Sequence, residues 1–305
     1  MTTDTLPLGP VMARRPRLLA GHVGPVTVVV LTLLILWYVA AAWMNAPFAR
    51  QIAPDPSAMS TGDLLAATMT LERPLLPAPH QVAAELYRTV LATPISSKRS
   101  LVYHAWVTLA STLLGFAIGT AVGIGLAVLI VHARALQKSL LPWIIASQTI
   151  PILAIAPIVI VVLGSIGLKG LVPKALISAY LCFFPVAIGL VKGLTSPEPM
   201  QLGLMRTYHA NAWQTFWKLR WPASVPFLFA SLKVAIAISL VGAIVAELPT
   251  GAQAGLGARL LTGSYYGQTV QIWAALFAAA IVASALVALT GLAERLTLRA
   301  MGLRR

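Results

Sequence analysis

The sequence predicts an all-α integral membrane protein with six transmembrane helices, and three observations lead there. Of 305 residues, 58% are hydrophobic and only 10% charged, where a soluble domain carries about 25% charged residues. Mean hydropathy is +0.85. Apolar runs long enough to cross roughly 30 Å of hydrocarbon recur six times, at 23–44, 106–131, 140–163, 171–191, 226–248 and 270–292. The net charge of +14 reflects 22 Lys and Arg against 8 Asp and Glu. The basic residues gather at the ends of the apolar runs, as a topology signal does, and form no phosphate-binding stripe, so no nucleic-acid partner is expected.

The N-terminal tail, 1–22, carries Arg14, Arg15 and Arg17 before span 1. That pattern also suits a signal peptide with Ala40–Ala42 as its cleavage region, but the apolar core is longer than a cleavable one normally is. Residues 45–105 form the one sizeable extramembrane piece, rich in proline and too poor in apolar residues for a core of its own. Within it, Val82, Leu86 and Val90 have helical spacing and predict an amphipathic helix lying on the outer membrane surface over 79–91. The core is 106–292. Gly115, Gly119 and Gly123 recur every four residues in span 2, which lets another backbone approach closely. Pro151, Pro157 and Pro185 interrupt the hydrogen-bond ladders of spans 3 and 4, as packed kinks or as the lining of a pathway. An insert at 192–225 precedes span 5, and a basic tail, 293–305, follows span 6.

With the N-terminus in the cytoplasm, 13 Lys and Arg fall inside, 8 outside, and Lys233 lies within span 5. The excess predicts both termini in the cytoplasm, the insert with them and residue Asp55 outside.

Several chemistries are missing. No Gly-x4-Gly-Lys-Ser/Thr loop is present to cradle ATP. The histidines at 22, 80, 104, 132 and 209 make no HExxH pair, and the lone Cys182 lies in an apolar run, so no metal site is expected. Ion-coupled carriers keep ionisable groups near mid-membrane. The two candidates in span 5, Lys233 and Glu247, are 14 residues and about 21 Å apart, and are expected to snorkel or cap at opposite ends. The energy for any transport is therefore expected from a partner.

The insert is the most distinctive stretch. Between Thr207 and Pro226 it mixes aromatic, polar and basic residues, fits two short helices, and ends at Pro222 where the next span starts. Trp213, Gln214, Thr215, Phe216, Trp217, Lys218, Leu219, then Trp221, Pro222 and Pro226, with Ala246–Glu247 closing the span, resemble the signature cytoplasmic loop of permease subunits of binding-protein-dependent ABC importers. Leu76-Pro77-Ala78-Pro79, Pro151, Pro157, Gly164, Gly167, Lys174 and Phe183-Phe184-Pro185 extend the resemblance over about 75–300. Permeases for nitrate, sulfonates, taurine and pyrimidine-type or riboflavin-type vitamin precursors are the most similar in style. The family loop places Glu-Ala-Ala and then Gly ahead of its Leu-Pro. At those positions this chain has Gly203-Leu204-Met205 and His209, so the first half of the motif departs from the pattern.

The resemblance implies a type I importer. Two permease copies form a twofold pore, two cytoplasmic ATP-binding subunits bind ATP and Mg and receive the coupling loop, and an extracytoplasmic binding protein delivers the solute. The permease itself would be no enzyme, hold no cofactor, and lie multi-pass in a bacterial inner membrane among lipid. The expected coupling residues are Tyr208, His209, Ala210, Asn211, Ala212, Trp213, Phe216 and Lys218, with the aromatics giving rigid contact area; the alternative is that they form an interfacial aromatic belt. The expected pathway residues are Gln148, Thr149, Ser239, Gly242 and Glu247, with span 5 facing its twin; the alternative is that its small residues pack against spans of the same chain. The absence of a cationic ring in the spans favours a neutral or weakly charged heterocycle over sulfonate or nitrate. The rival reading is a self-contained ion-coupled carrier, or a membrane enzyme using Glu247 or a loop histidine.

Overall fold

A computed structural model describes residues 23–53, 59–249 and 254–302. The tail 1–22, Asp55, and Arg304 and Arg305 lie outside the described residues. Regular structure among the described residues is helical throughout: α1 (Val23–Ile52), α2 (Thr61–Thr70), α3 (Pro79–Tyr87), α4 (Leu101–His132), α5 (Arg134–Ser147), α6 (Ile152–Ser165), α7 (Leu171–Leu194), α8 (Pro199–Thr207), α9 (Ala212–Thr215), α10 (Trp221–Glu247), α11 (Leu256–Tyr265) and α12 (Thr269–Ala300). Short π-helical turns follow α3 and α9. The chain forms two compact units, residues 1–81 and 82–305.

In the first unit α1 continues past the predicted end of span 1 and carries the buried Asn45 on its extension. The Asn45 amide donates to Leu76 O at 2.9 Å, and its oxygen accepts from Leu75 N at 2.8 Å. Trp37 Nε1 donates to Pro77 O at 3.0 Å, and Gln81 bridges Ala78 N and Leu71 O. A stretch with three prolines in 71–80, Pro74, Pro77 and Pro79, cannot satisfy itself by a regular ladder, and these side chains supply the missing partners.

In the second unit α7 packs along both α4 and α10. Gly115, Gly119 and Gly123 lie where α4 meets α7: a Cβ on Gly119 would sit 2.2 Å from Cys182 Sγ and 2.7 Å from Ala179 O. The glycine stripe is thus a helix-packing surface, and Cys182 fills the groove opposite. In the α3 region the expected apolar stripe meets its own chain: Leu86 and Val90 are half-buried and pack against a cluster of Leu101, Leu256, Ala274 and Ala275 from α4, α11 and α12. Those helix ends offer an apolar surface large enough to bury the stripe within the chain.

The predicted third span is also corrected. Residues 140–163 are not one straight helix: α5 and α6 meet at 97° across a break of four residues. Pro151 is the reason. It is extended at ψ 117° and starts α6, and having no amide hydrogen it cannot continue the α5 ladder. Among the described residues, five other helices are long and apolar enough to cross a membrane, and the bent pair makes a sixth if it counts as one span.

Candidate coupling surface and pathway

Residues 195–220 fold as a helix, a sharp reversal and a second helix. Glu198 caps α8, and its amide donates to Gln201 Oε1 at 3.1 Å. At the other end His209 N donates to Arg206 O and Ala210 N to Met205 O, both at 2.9 Å. Those two bonds make a Schellman motif with His209 in the left-handed region, φ 53°. This is the position where the loop pattern carries glycine, and the backbone gives the reason: a residue without Cβ enters that region at no steric cost. Next comes a reciprocal cap, in which Asn211 Oδ1 accepts from Gln214 N at 2.8 Å and Gln214 Oε1 from Asn211 N at 3.0 Å.

The second predicted short helix is not separate. From Ala212 the helix runs without interruption to Glu247, so Trp213, Phe216 and Lys218 belong to the first turns of the long helix. It does not begin at Pro222. Pro222 lacks the amide that would bond to Lys218 O, and the turn over Phe216–Arg220 widens to a π-helix that accommodates it.

The expected coupling residues divide by exposure. Tyr208 and Trp213 are exposed, at 76% and 69%, while His209, Asn211, Ala212 and Lys218 are exposed and Ala210 is half-buried. Phe216 is corrected from a docking residue to an anchor. It is 5% exposed, packs on Ala127, Leu190 and Leu194 from α4 and α7, and lies 5.2 Å from the His132 ring. An aromatic on the inward face of an amphipathic turn gains more from core burial than from solvent, by about 1.5–3 kcal/mol. The structure adds α8 to this surface: its Met200 and Leu204 are exposed although apolar. The signal for it in the sequence is the Glu198–Gln201 cap with Met200 and Leu204 four residues apart, on one face of the helix.

Of the expected pathway residues, Gln148 and Thr149 are exposed at the break between α5 and α6. Ser239 and Gly242 are turned inward. Ser239 Oγ donates to Thr112 O at 2.9 Å, Ser178 Oγ lies 2.6 Å from Ser239 O, and Gly242 packs 2.9 Å from Ser178 Cα by its Cβ position. Their small size brings α10 against α4 and α7 of the same chain, and within the chain they face no open surface. The exposed face of α10 at this level carries Val234 and Val241.

Glu247 does not snorkel; its carboxylate caps the first turn of α11 from within the chain. It is fully buried. Its carboxylate accepts from Gly257 N at 2.8 Å and from Thr108 Oγ1 at 3.0 and 3.1 Å, with Lys174 Nζ at 3.5 Å. Thr108 Oγ1 accepts in turn from Leu256 N at 2.8 Å, and His104 Nδ1 from Gly255 N at 3.0 Å, while His104 Nε2 lies 2.9 Å from Lys98 O. These contacts place the imidazole proton on Nε2. A Cβ on Gly255 would fall 2.2 Å from the Glu247 carboxylate, and the φ of 130° there also excludes one. The carboxylate thus binds the chain after α10 back onto α4. Lys233 is paired as well, with Glu294 of α12. No sequence signal joins Thr108 to Glu247, which are 139 residues apart.

Beside Lys174 opens a cavity of about 850 Å³, lined by Tyr103, Trp106, Ile160, Lys169 and Gly170 among others. No group of three or more His, Cys, Asp or Glu suited to a metal occurs among the described residues.

Residues 119–302 match the model of the family described as binding-protein-dependent transport system inner membrane components. The chain belongs to this family. It is 31% identical over 225 residues to the riboflavin transport system permease protein RibX of Chloroflexus aurantiacus, covering 74% of this chain and 80% of the relative. It is 31% identical over 193 residues to the formylaminopyrimidine transport permease protein ThiX of Halalkalibacterium halodurans, covering 63% and 72%. With the putative aliphatic sulfonates transport permease protein SsuC of Bacillus subtilis it shares 26% over 220 residues, covering 69% and 78%. The permease is thus a multi-pass inner-membrane transport subunit of the ABC class, in a family of permeases and not of enzymes, and family membership implies binding-protein and ATPase partners in general terms.

Proposed function

We propose that this permease pairs with a second copy of itself to form the pathway of an ATP-driven importer, with both termini and residues 195–220 in the cytoplasm. Two ATP-binding subunits, which hold the ATP and Mg, dock on the surface made by Met200, Leu204, Tyr208, His209, Asn211, Ala212 and Trp213; Ala210 and Lys218 flank it. An extracytoplasmic binding protein delivers the solute at the end of the bundle that carries Glu247. The observation that carries the reading is the uninterrupted helix from Ala212 to Glu247, because a force applied at its exposed start is transmitted along one rigid rod to the opposite end. Lys233 and Glu247, the ionisable residues beyond the first turns of that helix, are both held in ion pairs, which supports an external energy source over ion coupling.

The solute proposed is a small heterocycle of the pyrimidine-precursor or riboflavin kind, with sulfonate, taurine and nitrate behind it. The relatives at 31% identity carry heterocycles in their names and the sulfonate relative stands at 26%. The cavity beside Lys174, with Tyr103 and Trp106 in its wall, has the size and aromatic lining that suit such a ligand. On this reading Gln148 and Thr149 lie along the route, whereas Ser239, Gly242 and Glu247 hold the moving helix to its neighbours. Purification in mild detergent followed by reconstitution tests the proposal. Uptake that requires a co-purifying ATPase and ATP supports it, and uptake by this chain alone down an ion gradient refutes it.

A further inference from the structure

A second, polar cavity lies away from the surfaces described above. It measures about 440 Å³ and gathers Glu85 and Arg88 from the α3 region, Arg99 from the loop before α4, Arg259 from α11, and Gln268 and Gln271 from the start of α12. Three guanidinium groups face one carboxylate. Arg88 Nη2 holds Glu85 Oε2 at 2.6 Å, so one charge is answered and two remain in excess. Burial holds the pKa of Arg259 below its ordinary value, with Glu85 opposing that shift and Arg88 and Arg99 adding to it by repulsion. Like charges brought together at a half-buried site call for an anion.

The cavity also presents acceptors that the arginines leave unused. Glu85 is 8% exposed, and its Oε1, like Gln271 Oε1, is buried with no hydrogen-bond partner among the described residues. Buried acceptors in that state cost stability unless a donor reaches them. The ligand must therefore carry an anionic group for the guanidiniums and hydroxyl donors beside it. The location adds a third condition. Gln268 and Gln271 stand at the N-terminal turn of α12, one of the helices able to cross a membrane, so the cavity lies at a helix end, where lipid headgroups reside, and at the positive end of the α12 dipole.

We propose that this cavity binds a phosphoglycerol group, its phosphate held by Arg99 and Arg259 and its hydroxyls donated to Glu85 Oε1 and Gln271 Oε1. Guanidinium groups match phosphate oxygens in paired hydrogen bonds. The group can come from a phosphatidylglycerol headgroup or from soluble glycerol phosphate. The site is independent of the solute and ATPase assignments.

The test uses the full chain in its assembled complex, in nanodiscs of phosphatidylcholine with and without phosphatidylglycerol, and separately with glycerol 3-phosphate added to the phosphatidylcholine discs. Thermal unfolding and native mass spectrometry report binding. The wild type is expected to melt several degrees higher with the phosphoglycerol group and to retain it through detergent exchange. Arg99→Gln, an exposed position whose change leaves the fold intact, is expected to weaken retention roughly tenfold, as for the loss of one charge-assisted hydrogen bond. Arg259→Gln and Gln271→Leu should weaken it too, and if either fails to fold Arg99→Gln still decides. A response to the lipid alone assigns the headgroup, and a response to glycerol 3-phosphate assigns a soluble ligand. No response to either, or an unchanged response in Arg99→Gln, overturns the proposal.

Discussion

Replacing Gly119 with alanine tests the packing that holds α10 and α7 in register with α4. The added Cβ would stand 2.2 Å from Cys182 Sγ and 2.7 Å from Ala179 O, both far inside the roughly 3.5–4.0 Å of an optimal contact. The cysteine can rotate away, but the Ala179 carbonyl is backbone, so the two helices must separate by on the order of 1 Å over the whole stripe of Gly115, Gly119 and Gly123. Overpacking of this kind costs about 1–3 kcal/mol, or a fall in melting temperature of about 2–4 °C per kcal/mol for a chain of this size class. Gly125 supplies the control, because nothing lies within 4 Å of its Cβ position, and alanine there gains up to about 1 kcal/mol of helix propensity. Thermal unfolding of the two variants in the same detergent is the assay. Gly119→Ala should melt lower than wild type and Gly125→Ala no lower, and Gly119→Ala with Cys182→Ala should recover part of the loss. Equal melting of the two single variants would refute the stripe as a contact surface.

Three further outcomes follow from the geometry. His209→Gly should stabilise the fold by about 1 kcal/mol in thermal unfolding by relieving the left-handed backbone, with uptake retained. Glu247→Ala removes the carboxylate that Lys174, Thr108 and Gly257 share and should cost about 3–5 kcal/mol, whereas Glu247→Gln, which still accepts from Gly257, should cost less; melting of both variants at the wild-type temperature would show the carboxylate to be idle. For the paired assembly, cysteine at Val241 in a Cys182→Ala background should crosslink between two copies and cysteine at Ser239 should not, and the reverse would place the buried face of α10 at the interface.

Features that depend on spacing along one helix were readable before the fold was known. The glycines at 115, 119 and 123 predicted a close approach and make one. The loop pattern singled out position 209, and its backbone conformation gives the physical reason. What spacing could not convey was which face of a helix its own chain would cover. Phe216 looks like its aromatic neighbours in sequence, but the helix turns it onto Leu190 and Leu194. Ser239 and Gly242 suit a pore or a packed interface equally well, and their contacts to Ser178 and Thr112 distinguish the two. The shell around Glu247 is assembled from α4, α7 and the chain after α10, so only the folded chain brings it together. In span 3 the proline that breaks the ladder was visible at 151, but the 97° angle at that break was not.

On the proposed function, the exposed apolar residues of α8 meet an ATP-binding subunit. A photo-activatable residue at Leu204, with one at the buried Leu190 as control, tests it most directly in the assembled complex. A covalent adduct between position 204 and the ATP-binding subunit is expected, with a yield that changes when non-hydrolysable ATP is added, together with loss of ATP-driven uptake without loss of folding in Ala212→Glu. Adducts from position 204 only to lipid, together with normal uptake by Ala212→Glu, would contradict it.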